Sequence, residues 1–129
     1  MERRSHCPVA CALDLAGDKW TLLVVRDLLR GRRTYGELAA SAEGIPTNIL
    51  AERLRRLEQA GLVEAVPYHE RPVRHAYALT EKGRGLEEVL GALARWGKRH
   101  IPGTRVFPEF RVRGSPPASR QGPGGRKSA

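Results

Sequence analysis

Between Pro46 and Gly61 the chain runs PTNILAERLRRLEQAG, and three residues there have the right chemistry to read a duplex. Asn48, Glu52 and Arg55 carry side chains of the kinds that hydrogen-bond base edges in a major groove. Plotted at 100° per residue, Asn48, Glu52, Arg55 and Gln59 share one side, with Arg53 and Arg56 at its flanks. Leu50, Leu54 and Leu57 form a narrow stripe opposite, the i, i+4, i+7 mark of an amphipathic helix. Thr47 is expected to be the N-cap, its hydroxyl accepting the Leu50 amide. Gly61 fits the left-handed position that ends helices. The ordinary alternative for the outer face is a solvated surface with Glu52–Arg56 as an i, i+4 ion pair. What favours recognition is the sequence on either side.

Other reactive side chains are few. Cys7, Cys11, His6, His69, His75 and His100 include no C-x-x-C or H-x-x-x-H spacing, so no metal site is expected. There is no glycine-rich phosphate loop, no G-x-S-x-G and no paired acid with a base in a motif. The sequence therefore reads as a non-enzyme without a cofactor. Asp14, Asp18 and Asp27 have spacings that suit capping and surface ion pairs.

The length of 129 residues fits one domain with a tail. Apolar residues make up 40% and aromatics only 5%, so the core must be built mainly from Leu, Val and Ala. The net charge of +9 favours a polyanionic partner, nucleic acid before membrane. Arg111, Arg113, Arg120, Arg126 and Lys127 have no acid among them, yet residues 1–110 keep +4 without them. Aromatic platforms for stacking single-stranded bases are missing, which favours duplex DNA over RNA. No run reaches the roughly 18 apolar residues of a membrane span. MERRSHC is followed by no apolar segment of the secretory kind. Two cysteines without such a segment point to the reducing cytoplasm.

Around the reading helix the chain supplies its supports in order. Residues 1–6 are expected to be a flexible N-terminus. Cys7–Ala16, with Pro8 in its first turn, is a short apolar helix that needs something to pack on. Gly17 breaks it, and Asp18 caps a second helix, Lys19–Arg30, apolar on more than one face and hence central to the core. Arg30, Arg32 and Arg33 cluster around Gly31, as either a solvated turn or a phosphate clamp. Thr34–Ala42 opens with a T-x-x-E capping box from Thr34 and Glu37. Glu43–Pro46 then turns into the reading helix, which makes a helix-turn-helix. Leu62–Tyr68 and Arg74–Thr80 alternate as strands around a His69–Val73 loop, a hairpin with a basic tip at Arg71, Arg74 and His75. Thr80 caps a last helix running through His100. Its apolar residues exceed what so small a core can absorb, so the spare face is assigned to a second copy of the chain. After Pro102, Pro, Gly, Ser and Arg dominate, and residues 103–129 are expected to be a disordered basic tail.

Taken together, CPVACALDLAGDKWTLLVVRDLL, RTYGEL, GIPTNILAERLRRLEQAGLVE, YALTEKG and a final LxxLxxW helix resemble the HxlR-type winged helix-turn-helix transcription regulators of bacteria and archaea, relatives of the MarR group. The resemblance covers roughly residues 7–100. It implies an α+β, mostly α fold: a winged helix-turn-helix over residues 7–102 with N- and C-terminal dimerisation helices. It also implies a cytoplasmic homodimer on a pseudo-palindromic operator, with no enzymatic activity. By that resemblance Thr47, Asn48, Glu52 and Arg55 read bases, while Arg32, Arg33, Arg56, Arg71 and Arg74 contact the backbone. Val9, Leu13, Leu90, Leu93 and Trp96 are assigned to dimerisation. Cys7 matches the position through which some members sense oxidants or electrophiles, and a thiol opening a helix near Arg3, Arg4 and His6 suits that chemistry. A Cys7–Cys11 disulfide is disfavoured inside a helix, where Cβ atoms four apart stand ~6 Å from each other against ~3.8 Å in a disulfide. A bond from Cys7 to a second protomer is geometrically freer. The competing reading is a winged-helix protein–protein interaction module without sequence-specific DNA binding.

Overall fold

The computed structural model describes residues 3–105. Six helices and one hairpin follow in order: α1 Pro8–Ala16, α2 Thr21–Leu29, α3 Tyr35–Ala39, α4 Thr47–Gln59, β1 Val63–Glu70, β2 Val73–Leu79, α5 Glu81–Arg84 and α6 Glu87–His100. The tail expected to be disordered lies outside the described residues from position 106 onward.

Branched aliphatic residues make the core, as a chain so poor in aromatics requires. Val24, Val25, Leu28 and Leu29 of α2 meet Leu50, Leu54 and Leu57 of α4, and Leu38, Ile45, Leu62, Val63, Leu79 and Leu90 close around them. The stripe read from α4 is thus its buried face, with Leu50 fully enclosed. One charged residue goes in with the leucines. Asp27 is 1% exposed, not on the surface as its spacing had indicated. It accepts Nε of Arg26 and Nη1 of Arg30, each at 3.1 Å, the pairing a buried carboxylate needs. Arg26 also grips Glu43 through both carboxylate oxygens, at 2.6 and 2.9 Å. This ties the turn between α3 and α4 to α2.

These Arg26 hydrogen bonds hold the Glu43 carboxyl down at about 2, against an ordinary 4.5, even though partial burial works to raise it. A depressed carboxyl stabilises the fold above its unfolded value, and that contribution disappears as pH falls through the folded one. Thermal unfolding should therefore be level from neutral pH to about 5 and fall between about 4.5 and about 2. Glu43→Gln should start lower at pH 7 and lose less over that window. An unchanged acid limb in the variant would remove Glu43 from the account.

Helix boundaries follow their caps with some displacement. Thr34 and Glu37 form the expected capping box, but α3 stops at Ala39 rather than Ala42. Asp18 accepts the Trp20 and Thr21 amides at 3.1 and 3.2 Å, so regular helix starts at Thr21 and not at Lys19. Thr47 is not the N-cap of α4. Pro46 takes that place in an extended conformation, and its carbonyl accepts the Ile49 and Leu50 amides. Gly61 ends α4 at φ +79°: its amide bonds Glu58 O and the Leu62 amide bonds Leu57 O, the paired 5→2 and 6→1 bonds of a Schellman ending.

The hairpin is longer than its sequence pattern implied. Strands continue through His69 and Glu70 and begin again at Val73, leaving only Arg71 and a cis Pro72 at the tip. A register shift between Pro67 and His69 absorbs Tyr68. The segment before α3 lies along β2, with a single bridge from Thr34 to Ala76 and the Tyr77 amide on Arg33 O at 2.8 Å.

The last helix is two helices. Thr80 caps α5 through the Gly83 amide at 3.1 Å. The chain then tightens, with Gly85 N bonding Lys82 O and Leu86 N bonding Gly83 O three residues back, before α6 sets out. Gly83 lies so close to the start of β1 that an added Cβ would stand 2.1 Å from Leu62 O. That close approach leaves room for no side chain at this position.

Candidate nucleic-acid interface

Six residues of α4 face solvent: Thr47, Asn48, Ala51, Arg55, Glu58 and Gln59. Three of the expected base readers, Thr47, Asn48 and Arg55, stand on this exposed strip. Ala51 lies in its middle and escaped notice because it carries no polar group, yet a methyl there leaves room for a groove wall. Glu52 is different. Its side chain is 36% exposed and its carboxylate is engaged: Arg53 Nη1 bonds Oε1, Arg55 Nη2 lies 3.6 Å from Oε2 and Arg56 Nη1 lies 3.9 Å from Oε1. Arg53 itself turns inward, its Nε bonding Asp18 at 2.8 Å. Asp18 is held well below the usual carboxylate range: partial burial pushes it up, but hydrogen bonds from Thr21, Arg53 and the Trp20 amide outweigh that.

One backbone segment links the loop arginines to the start of α4 and to β2. Tyr35, next to Arg33 and Thr34, donates its hydroxyl to Thr47 O at 2.7 Å, while Arg33 O takes the Tyr77 amide of β2. The loop arginines are therefore fastened to the start of α4 on one side and to the hairpin on the other. Arg33 is exposed, and Arg32 is half-buried with Nη1 at 3.4 Å from Glu37 O. At the hairpin tip Arg71, Arg74 and His75 are exposed. Among the described residues, neither Arg71 nor Arg74 makes a side-chain ion pair.

The apolar surplus lies exposed on α1 and α6. Val9 and Leu13 on α1 are 66% and 56% exposed, and Leu93 and Trp96 on α6 are 52% and 59% exposed. Leu90, expected on the same face, is instead buried in the core of its own chain at 7% exposure. It lies about 60° round the helix from Leu93, on the side away from Val89 and Trp96, and so faces the core. Of α1, only Ala16 is buried. Cys7 is exposed, free and at the N-cap of α1. Arg4, counted among its cationic neighbours, pairs with Asp14 at 2.7 Å. The Cys11 thiol donates to Ser5 O at 3.3 Å.

Among the described residues no three His, Cys, Asp or Glu side chains group as metal ligands, and no helix is long and apolar enough to cross a membrane.

A helix-turn-helix flanked by a two-stranded hairpin, with this order of motifs, is matched by one family model. The HxlR-like helix-turn-helix model covers residues 15–105. The chain belongs to the HxlR-like family. An uncharacterised HTH-type transcriptional regulator of Mycobacterium tuberculosis is 45% identical over 94 residues, which is 73% of this chain and 59% of that protein. The chain thus spans under two thirds of that relative's length. YvaP of Bacillus subtilis, also named an uncharacterised HTH-type transcriptional regulator, is 34% identical over 102 residues, 78% of this chain and 94% of its own. Among solved structures, the redox regulator HypR in its reduced form superposes with a TM-score of 0.69 at 31% identity, covering 74% of this chain and 95% of that one. Reduced YodB, a transcriptional regulator from B. subtilis, gives 0.64 at 32% identity, covering 78% and 100%. In this HxlR-like chain the α3–α4 pair is the helix-turn-helix and the β1–β2 hairpin is the wing.

Proposed function

We propose that this HxlR-like protein is a sequence-specific DNA-binding transcriptional regulator that acts in the cytoplasm as a homodimer on a pseudo-palindromic operator. The observation that carries the reading is the Arg33–Tyr35 segment, which bonds to the start of α4 through Tyr35 and to β2 of the wing through Arg33 O. Two copies of α4 enter successive major grooves about 34 Å apart. Thr47, Asn48 and Arg55 read bases, while Arg32, Arg33, Arg56, Arg71 and Arg74 hold phosphates and supply most of the affinity. The exposed Val9, Leu13, Leu93 and Trp96 pair with their counterparts in the second copy. HypR and the reduced form of YodB are described as redox or reduction-state structures, and the exposed Cys7 at the head of α1 supports the same kind of sensing here.

Fluorescence anisotropy with the DNA flanking the protein's own gene and with a shuffled duplex, at several salt concentrations, tests the reading. A preference of ~10³-fold or more with a steep salt slope is expected. Equal, weak, salt-sensitive binding to both duplexes would overturn it. Arg55→Ala should cost about 1–3 kcal/mol at a single base pair of the operator. An equal loss on every sequence would make Arg55 a phosphate contact. Repeating the titration after treatment with a thiol oxidant, with Cys7→Ser alongside, tests the sensing role. Identical response in the two proteins would dismiss Cys7.

A further inference from the structure

Asp18, Arg53, Glu52 and Arg55 form one connected line of charges from the start of α2 to the exposed strip of α4. At its inner end, Oδ2 of Asp18 is fixed by the Trp20 and Thr21 amides. The same oxygen takes Arg53 Nε at 2.8 Å, across 35 positions of sequence. The Arg53 guanidinium, 16% exposed, passes the contact on through Nη1 to Glu52 Oε1. The other oxygen of Glu52 faces Arg55 Nη2 at 3.6 Å, and the Arg55 side chain is 58% exposed.

A carboxylate that reads cytosine must offer its lone pairs to the base. Those of Glu52 are already shared among arginines of its own helix. An exposed arginine samples many rotamers, and a fixed carboxylate beside it narrows them before binding, so less freedom is lost on docking. Glu52 can do this only if its own position is set, which is what Arg53, held by Asp18, provides. We propose that Asp18, Arg53 and Glu52 are positioning residues that aim the Arg55 guanidinium at its base, so that operator specificity depends on the ion pair between α2 and α4. The inference rests on the DNA-binding reading above and reassigns Glu52 from base contact to support.

Glu52 has a second consequence of opposite sign. Its negative charge offsets one of the neighbouring arginines, which weakens attraction to phosphates in general. Removing it should raise affinity for any duplex while lowering discrimination, a combination that mere loss of stability does not produce.

The test is selection from a random duplex library by the full chain, followed by titration of single base-pair changes in the selected site. Arg55→Ala locates the base pair concerned. Asp18→Asn keeps an oxygen to cap the α2 amides while removing the charge that holds Arg53. It should reduce discrimination at that base pair by about 10-fold and leave preferences at the other positions intact. Arg53→Gln should do the same, and the two together should be no worse than either alone. It carries the test by itself if Asp18→Asn does not fold. Glu52→Gln should lose the same discrimination and bind shuffled duplex several-fold more tightly.

Unchanged preference in the variants would overturn the inference, as would an affinity loss equal on all sequences. Either outcome leaves the DNA-binding reading standing. If the unaltered protein selects no sequence, that reading fails and the inference goes with it.

Discussion

On the homodimer proposed above, Leu93→Asp is expected to give a monomer at micromolar concentration and to abolish the proposed preference for a palindromic duplex. Leu93 is half exposed in its own chain, with Val89 and Trp96 also exposed on α6. Those positions, four before and three after it, share one helix face. In a two-fold interface each substitution acts twice. Losing two buried leucines, and placing two unpaired carboxylates where they stood, costs about 5 kcal/mol or more, roughly 10³–10⁴-fold in the dimer dissociation constant. Because Leu93 lies outside the core of its own chain, helix content should hold while the mass in sedimentation equilibrium halves. Half-site binding should survive, weakened, at low salt. A mass that stays at two chains would place the subunit contact elsewhere.

Gly83→Ala should be the most damaging small substitution in the wing's foundation. In an ordinary helix the exchange gains up to about 1 kcal/mol. Here the new methyl would sit 2.1 Å from Leu62 O and 2.9 Å from Leu79 Cδ2. The side chain can yield, but the carbonyl cannot, because it already accepts the Thr80 amide at 3.0 Å. Either α5 moves away from β1 or the first rung of the hairpin opens. A net loss of about 3 kcal/mol follows, which for a domain this size lowers Tm on the order of 10–20 °C. Differential scanning calorimetry measures it directly. Gly97→Ala, where a Cβ would meet nothing within 4 Å, is the control and should be neutral or stabilising. Similar Tm changes in the two variants would mean that Gly83 owes its place to something other than this contact.

The elements legible in the sequence are those marked by near neighbours. Thr34 and Glu37 three apart announce α3, the leucine stripe announces the buried side of α4, and Gly61 announces its end. What escaped depends on residues far apart in the chain. The turn between α5 and α6 falls inside an apolar spacing that continues past it, and the close packing of Gly83 on Leu62 is invisible to any periodicity after Thr80. Leu90 and Leu93 follow the same helical rhythm, and a helix apolar on more than one face does not disclose which part its own core covers. At the candidate interface, side-chain type and spacing placed Glu52 with Asn48 and Arg55. They could not show that Asp18 draws Arg53 inward and that Arg53 then occupies Glu52. Asp27 is the exception: its partners Arg26 and Arg30 are near neighbours, but its spacing suited a surface acid as well as a buried one.

The junction after α4 bears on how such a protein would judge its target. Thr80 Oγ1 donates to Gly61 O at 2.6 Å, and Lys82 Nζ donates to Ala60 O at 2.8 Å. The two carbonyls that follow α4 are thus fastened to the segment that leaves the hairpin, while Tyr35 fastens the first turn. The helix and the wing cannot slide independently, and together they behave as a caliper of fixed jaw width. A duplex whose groove spacing departs from that setting can satisfy one jaw only by releasing the other. DNA stiffness and groove width at base pairs the protein never touches would then enter its choice of operator.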